Sequence, residues 1–270
     1  MSKPRTDCYN TDVYMFVNFI LPPLLAGLTG WACGALVNYL ADSLPVRRRL
    51  VHPFCSNCQS EIAWWSYLIW PRKCGFCGHR RNSRSWVVEL FYVAVGIWIW
   101  INIPQGWNLI ASLALLVYFG LVTVIDVEHR LILHSISLVG GLLGIVIGTW
   151  QHGLWRTLAG GVVGFVTMLG LYWLGMLFIR FQKRRQGIEE PEDALGFGDV
   201  NLSGVIGLLL GWPGIIVGLV FAILLAGGFS LVYLVIKLLR REYRPSLVIP
   251  YGPFLVASAA WLLVFRSMGL

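Results

Sequence analysis

Charged side chains are scarce in this chain. Asp, Glu, Lys and Arg make up 13% of its 270 residues and hydrophobic types 57%, whereas soluble domains carry about twice that share of charge. The balance excludes an ordinary soluble domain and points to a polytopic membrane protein. The apolar stretches also lack the period-two alternation of barrel strands, so helices, which satisfy their own backbone in lipid, are expected instead. The first apolar run has no A-x-A site and is too long for the core of a cleavable leader, so it should stay as the first helix. No glycine-rich dinucleotide fingerprint stands between a strand and a helix. Internal repeats and low-complexity tracts are absent too.

What is present is a series of apolar runs at about 13–41, 86–103, 107–126, 134–150, 155–180, 213–236 and 250–267, with a shorter one at 199–211. A hydrocarbon core takes roughly 20 helical residues, so the fold expected is an all-α membrane bundle of about eight helices. The division expected is a first helix in 1–41, a polar loop subdomain in 42–85 and a bundle in 86–270. Net charge is +8. On a soluble protein that would raise nucleic acid as a partner, but here the basic residues follow topology. Of the 21 Lys and Arg, 17 fall in the segments 42–85, 126–133, 180–198 and 237–249, which the positive-inside rule places in the cytoplasm. Both termini are then expected outside, and the partners are lipid and protein rather than nucleic acid. The charged stretch 180–198 is read as a loop leading into Asp199.

Within 42–85, Cys55-x2-Cys58 and Cys74-x2-Cys77 are separated by fifteen residues, the spacing of a four-thiolate zinc site. Each pair puts two sulfurs on one tight turn, and two turns close a tetrahedron around the metal. Gly75 and Gly78 are expected to supply the backbone freedom of these turns. Redox dithiols and disulfides are the alternatives, and a reducing cytoplasm disfavours lasting disulfides. A structural zinc would fold a loop too small to fold alone. Trp64, Trp65, Tyr67 and Trp70 could form a small core there or lie against the membrane interface.

The chemistry is expected from two aspartates. Asp126 closes the run Leu109 to Ile125, and Asp199 opens Val200 to Leu210 within Gly196-Phe197-Gly198-Asp199. A carboxylate beside hydrocarbon is costly, so its default reading is functional. With the topology above both sit at the cytoplasmic edge, and Asn38, Asp42 and Glu89 fall near that edge on other helices. Two carboxylates within hydrogen-bonding reach cannot both ionise easily, so the pair would hold one proton near neutral pH. One group then takes a proton from water while the other donates to a carbonyl oxygen, as in aspartic peptidases. The bland readings are a helix-end group reaching for water, or Asp199 capping its helix. The rival function is a proton- or cation-coupled transporter using the same acids, and a non-enzymatic assembly factor is a third class.

Taken together, these residues resemble the type IV prepilin leader peptidases, also called prepilin peptidase/N-methyltransferases, over nearly the whole chain. Gly34-Ala-Leu-Val-Asn38 with Leu44-Pro45, the tetrad Cys55, Cys58, Cys74 and Cys77, and Arg84-Ser-Trp-Val-Val-Glu89-Leu match the first part of the family pattern. Asp126-Val-Glu-His129, Gly196-Phe-Gly-Asp199-Val and Ile249-Pro-Tyr-Gly-Pro-Phe254 match the rest. The resemblance implies an inner-membrane peptidase that removes the short basic leader of prepilin or pseudopilin proteins at the cytoplasmic face. It implies catalytic Asp126 and Asp199, zinc on the four cysteines, and methylation of the new N-terminus from S-adenosylmethionine. Glu89 is the candidate for orienting that amine, with a salt bridge to a loop arginine as its plainer reading. The chain departs from the family pattern at Ser43, Leu133-His134 and Asn201, positions that bear on substrate choice and leave both aspartates in place.

Overall fold

In the computed structural model, residues 21–102, 108–186, 196–240 and 250–267 are described. The termini, the acidic stretch Glu189 to Asp193 and the segment 241–249 lie outside them, with the expectations placed on them. Among the described residues there are nine helices and no strand beyond two isolated bridges, Phe54 with Glu61 and Lys73 with Arg80. They divide into two compact units, Met1–Val117 and Tyr118–Leu270.

The first unit holds α1 (Leu21–Arg47), the short α2 (Trp64–Leu68), α3 (Arg84–Ile101) and the start of α4 (Leu109–His129). Glycine and alanine on the buried side of α1 let α3 approach closely, as small residues do where lipid gives no hydrophobic drive for helix association. Tyr92 of α3 is buried in that contact and its hydroxyl donates to the Leu116 carbonyl at 2.8 Å. The loop between α1 and α3 carries the cysteines and α2. Its four aromatic residues do not act alike. Tyr67 is buried beneath the Arg81 guanidinium and packs edge-on against Tyr39, and Trp64 lies against Tyr39 and His52, whereas Trp65 and Trp70 are exposed.

The second unit contains the end of α4, then α5 (His134–His152), α6 (Leu154–Gln186), α7 (Phe197–Leu210), α8 (Gly214–Leu239) and α9 (Gly252–Ser267). At 14 residues, α7 spans about 21 Å, short of a hydrocarbon core of about 30 Å. It need not face lipid, because α5, α6, α8 and α9 all pack on it and Val200, Leu202, Ile206 and Leu209 are sealed from solvent. The closest approach is at Gly160 of α6 and Gly207 of α7, where a Cβ on either would run into the carbonyl of the other. Ser203 Oγ fastens the same seam by donating to the Gly164 carbonyl at 3.0 Å. At the far end, His152 Nε2 lies 3.1 Å from the Leu209 carbonyl and its Nδ1 3.1 Å from Thr157 Oγ1. Large apolar side chains such as Leu138, Val146, Leu174 and Leu224 point outward, as lipid-facing residues do.

Six helices are long and apolar enough to cross a membrane, and α7 and α9 are shorter apolar helices. The protein is a multi-pass membrane bundle. One boundary needs correction: the segment after residue 180 does not begin a loop, since α6 continues to Gln186. Arg, Lys and Gln are strong helix formers, so the helix outruns its apolar span.

Candidate functional site

Asp126 lies one turn before the end of α4, and Asp199 in the first turn of α7. Both carboxylates belong to the second unit and both are buried, at 5% and 8% exposure. They are close enough for the charge of Asp126 to act on Asp199. Gly196 is the N-cap residue of α7, and its backbone N–H acts on the Asp199 carboxylate three residues on. Among the described residues no salt bridge reaches either carboxylate. The charge of Arg130, one turn on from Asp126, does reach Asp126.

The third component comes from α9. The backbone N–H of Gly252 donates to Asp126 Oδ2 at 3.0 Å, and a Cβ at Gly252 would stand 2.6 Å from that oxygen. Glycine is therefore required by the closeness of a carboxylate to the backbone. The next residue back, Tyr251, has a buried hydroxyl with no hydrogen-bond partner among the described residues, and the charge of Asp199 reaches it. Sequence reasoning had the Pro250-Tyr251-Gly252-Pro253 segment in view as a motif and missed it as part of the site. A glycine between two bulky residues at a helix start was the available signal.

The four cysteine sulfurs gather within 4.8 Å of one another. Cys55 and Cys77 are 3.6 Å apart, Cys58 and Cys74 3.5 Å. A tetrahedron of Zn–S bonds of about 2.3 Å has edges of about 3.8 Å, so the cluster fits such an ion. The two turns are built alike: Cys55 N–H donates to the Ser60 carbonyl and Cys74 N–H to the His79 carbonyl, each at 2.9 Å. The left-handed residue after each second cysteine is Gln59 (φ 60°) in one and Gly78 (φ 67°) in the other. Gly78 thus does what was expected of it, while Gly75 has no such φ and the first turn manages with glutamine. The Ser60 hydroxyl, 3.3 Å from Cys74 Sγ, lowers the pKa of that thiol with help from the Cys77 and Phe76 backbone, while partial desolvation and hydrogen bonds among the sulfurs raise that of Cys77. The thiolate is the form that binds metal.

Glu89 is buried in the first unit and both its oxygens are engaged. Oε2 accepts from Arg72 Nη2 at 2.6 Å and Trp31 Nε1 at 3.1 Å, and Oε1 from Asn38 Nδ2 at 3.4 Å. Arg72, whose guanidinium also lies 3.9 Å over the Trp86 ring, comes from the cysteine loop. Asp42 makes a second such clasp, accepting from Tyr67 and pairing with Arg81 and Arg84. These acids fasten the loop to α1 and α3.

Comparison with known proteins adds the family. The type IV leader peptidase family model matches residues 109–231, and the bacterial peptidase A24 N-terminal domain model matches 28–103. The chain is 26% identical over 230 residues to the prepilin leader peptidase/N-methyltransferase of Aeromonas hydrophila, covering 82% of this chain and 73% of that one. It is 28% identical over 227 residues to the protein of that name from Stutzerimonas stutzeri, covering 79% and 71%. With the Pseudomonas aeruginosa protein of the same name the identity is 27% over 220 residues, covering 77% and 69%. No solved structure matches. The two family models meet the two units in turn, one on the helix pair with its cysteine loop and the other on the bundle with its aspartates. The chain belongs to the type IV leader peptidase family of membrane peptidases.

Proposed function

We propose that this protein cleaves the leader from prepilin-like proteins, with Asp126 and Asp199 as the acid–base pair. One observation carries the reading: two buried carboxylates in electrostatic reach of each other, one of them oriented by a backbone N–H, with no salt bridge to either among the described residues. In the reaction one carboxylate takes a proton from water as its oxygen attacks the scissile carbonyl carbon. The other donates to the carbonyl oxygen. When the C–N bond breaks, one carboxylate gives its proton to the departing nitrogen while a hydroxyl of the diol intermediate gives its proton to the other carboxylate, so the carbonyl reforms as an acid and the dyad again holds one proton.

The substrate is a prepilin or pseudopilin whose basic leader lies in the cytoplasm and whose apolar helix enters from the lipid of the inner membrane. The site then faces the cytoplasm and both termini lie outside. Purified protein should shorten such a substrate, and Asp126→Ala or Asp199→Ala should each abolish the shorter band. A variant that cleaves like the wild type removes that residue from the mechanism.

Zinc on Cys55, Cys58, Cys74 and Cys77 closes the 42–85 loop as a small subdomain between the first helix (1–41) and the peptidase bundle (86–270). Four protein ligands leave no open position, so its part is structural. Methylation of the new N-terminus is the second activity proposed, as the relatives' name carries it. S-adenosylmethionine, when bound, supplies an electrophilic methyl group. Buried Arg72 Nε and Nη1 and Asn38 Oδ1 lack partners, the donor and acceptor atoms an amino-acid headgroup calls for. Since Glu89 is already occupied, its part would be to position Arg72. Calorimetry with S-adenosylhomocysteine tests this site independently of cleavage, and the mass of the product's N-terminus tests the transfer.

A further inference from the structure

The cysteine loop leaves two large apolar rings facing outward. Trp65 is 68% exposed and Trp70 71%, although Tyr67, on the same short helix as Trp65, is buried. Rings left outside a polar loop mark a contact surface when they stand together and adjoin another apolar face.

Hydrogen bonds say where these two stand. Ser66 Oγ, next to Trp65 on α2, donates to the Lys73 carbonyl at 3.1 Å, and the Arg72 N–H donates to the Ser66 carbonyl at 3.1 Å. Arg72 Nη2 donates to the Leu68 carbonyl at 2.6 Å while the guanidinium lies over the Trp86 ring. The helix α2 and the segment 70–73 are therefore tied together at the start of α3. Trp86 is half exposed and opens the outward face of α3 that continues through Leu90. The surface that α3 turns to lipid is thus carried on, beyond its first turn, by the segment that bears the two tryptophans. Tryptophan collects at that level of a bilayer, where hydrocarbon gives way to headgroups.

Charge selects the occupant. Against eight Lys and Arg, the segment 42–85 has two acids, Asp42 and Glu61. Asp42 is taken by Arg81 and Arg84, and Arg72 by Glu89. Lys73 and Arg80, opposed across the second cysteine turn, are exposed and pair with no acid among the described residues. Such a patch repels the basic leader of a prepilin-like substrate. It attracts anionic headgroups, and each basic residue near an anionic surface strengthens binding by about fivefold.

We propose that the face carrying Trp65, Trp70, Lys73 and Arg80 is a docking surface for the anionic headgroup layer of the membrane, and that it lays the cysteine loop against the leaflet beside α3. The inference needs the membrane bundle and is independent of the peptidase reading.

The test is hydrogen exchange of the full-length protein in nanodiscs of phosphatidylcholine alone or with about one third phosphatidylglycerol, followed over residues 64–80. With two cations engaged, amides of α2 and of 69–73 should exchange about tenfold or more slowly in the anionic discs. Salt at about 1 M should erase the difference, because screening then acts within about 3 Å. Lys73→Glu with Arg80→Glu should lose the anionic increment and keep the exchange seen in phosphatidylcholine. Trp65→Ser with Trp70→Ser, a pair remote from the cysteines' turns, should speed exchange in both lipids at unchanged zinc content and melting temperature in detergent. Equal exchange in the two lipids overturns the proposal, as does an increment that survives charge reversal or one that inorganic phosphate reproduces in phosphatidylcholine discs. Slowing that appears only when the basic-leader substrate is added also overturns it, and gives the face to protein.

Discussion

Glu89 and Asp126 are the same kind of group in the same kind of place: carboxylates on apolar helices, buried to 2% and 5% exposure. Their partners differ. Glu89 is surrounded by donors and ion-paired to an equally buried arginine, whereas Asp126 has one backbone N–H and a second aspartate nearby. A carboxylate with a fixed counter-ion is held as an anion and holds its neighbours in turn, so it is suited to fastening a loop. Two carboxylates in electrostatic reach of each other are unfavourable as two anions and favour sharing a proton, which is what the acid–base chemistry proposed for them uses. Burial alone does not distinguish the two acids, and a bonded counter-ion does: Arg72 is salt-bridged to Glu89, whereas the Arg130 charge reaches Asp126 with no salt bridge to it among the described residues.

The contrast breaks first at the reactive pair. Asp126→Asn and Asp199→Asn should each lower cleavage by about 10²–10⁴-fold, the contribution of a positioned acid or base, while thermal unfolding in detergent stays where it was or rises. Loss of stability with retained turnover would reverse the two roles. The complementary change is Glu89→Ala, which strands Arg72 without its partner. Breaking a buried pair costs about 3–5 kcal/mol, so the melting temperature should fall, and Arg72→Met should do the same. The double change Glu89→Leu with Arg72→Met should recover much of the loss, because a pair replaced by apolar side chains leaves no buried charge. A double variant as unstable as the sum of the two would mean the acid and base act separately.

Membrane class, helical architecture and the cysteine cluster were legible in the sequence because each is a local signal: apolar run length, or a spacing of two residues between thiols. The aspartates stood out for a related reason, since depth in the membrane follows from position along a run, and both prove to be buried. What surrounds them was not. Gly252 is 126 residues from Asp126 along the chain, and nothing local to Pro250-Tyr251-Gly252-Pro253 says which carboxylate its N–H will meet. Arg72 was one of eight basic residues in its loop, and only packing selects it for Glu89. The start of α7 two residues ahead of Asp199, and the run of α6 out to Gln186, were obscured because charge ends an apolar pattern before it ends a helix.

Metal removal is a milder way to sharpen the comparison, since it acts on the loop that Glu89 holds. Chelation should open the 55–77 segment to limited proteolysis, and added zinc should close it again. Cleavage by the chelated protein should persist at a reduced rate, because four cysteine ligands would leave a bound zinc no open position for chemistry. Complete loss of cleavage with the bundle still folded would give the metal a direct part.

The smallest change probes the single donor on the reactive side. Gly252→Ala keeps the N–H but adds a methyl group that would stand 2.6 Å from Asp126 Oδ2. Either the carboxylate or the first turn of α9 must give way by several tenths of an ångström. The hydrogen bond survives in kind and loses its geometry, so the expected effect is a fall in kcat of about tenfold, equivalent to about 1.4 kcal/mol, with little change in melting temperature. A shift of that size in the pairing of Glu89 would be absorbed by its several other donors. If Gly252→Ala turns over at the wild-type rate, the N–H is a packing contact, and the dyad must be oriented by something else.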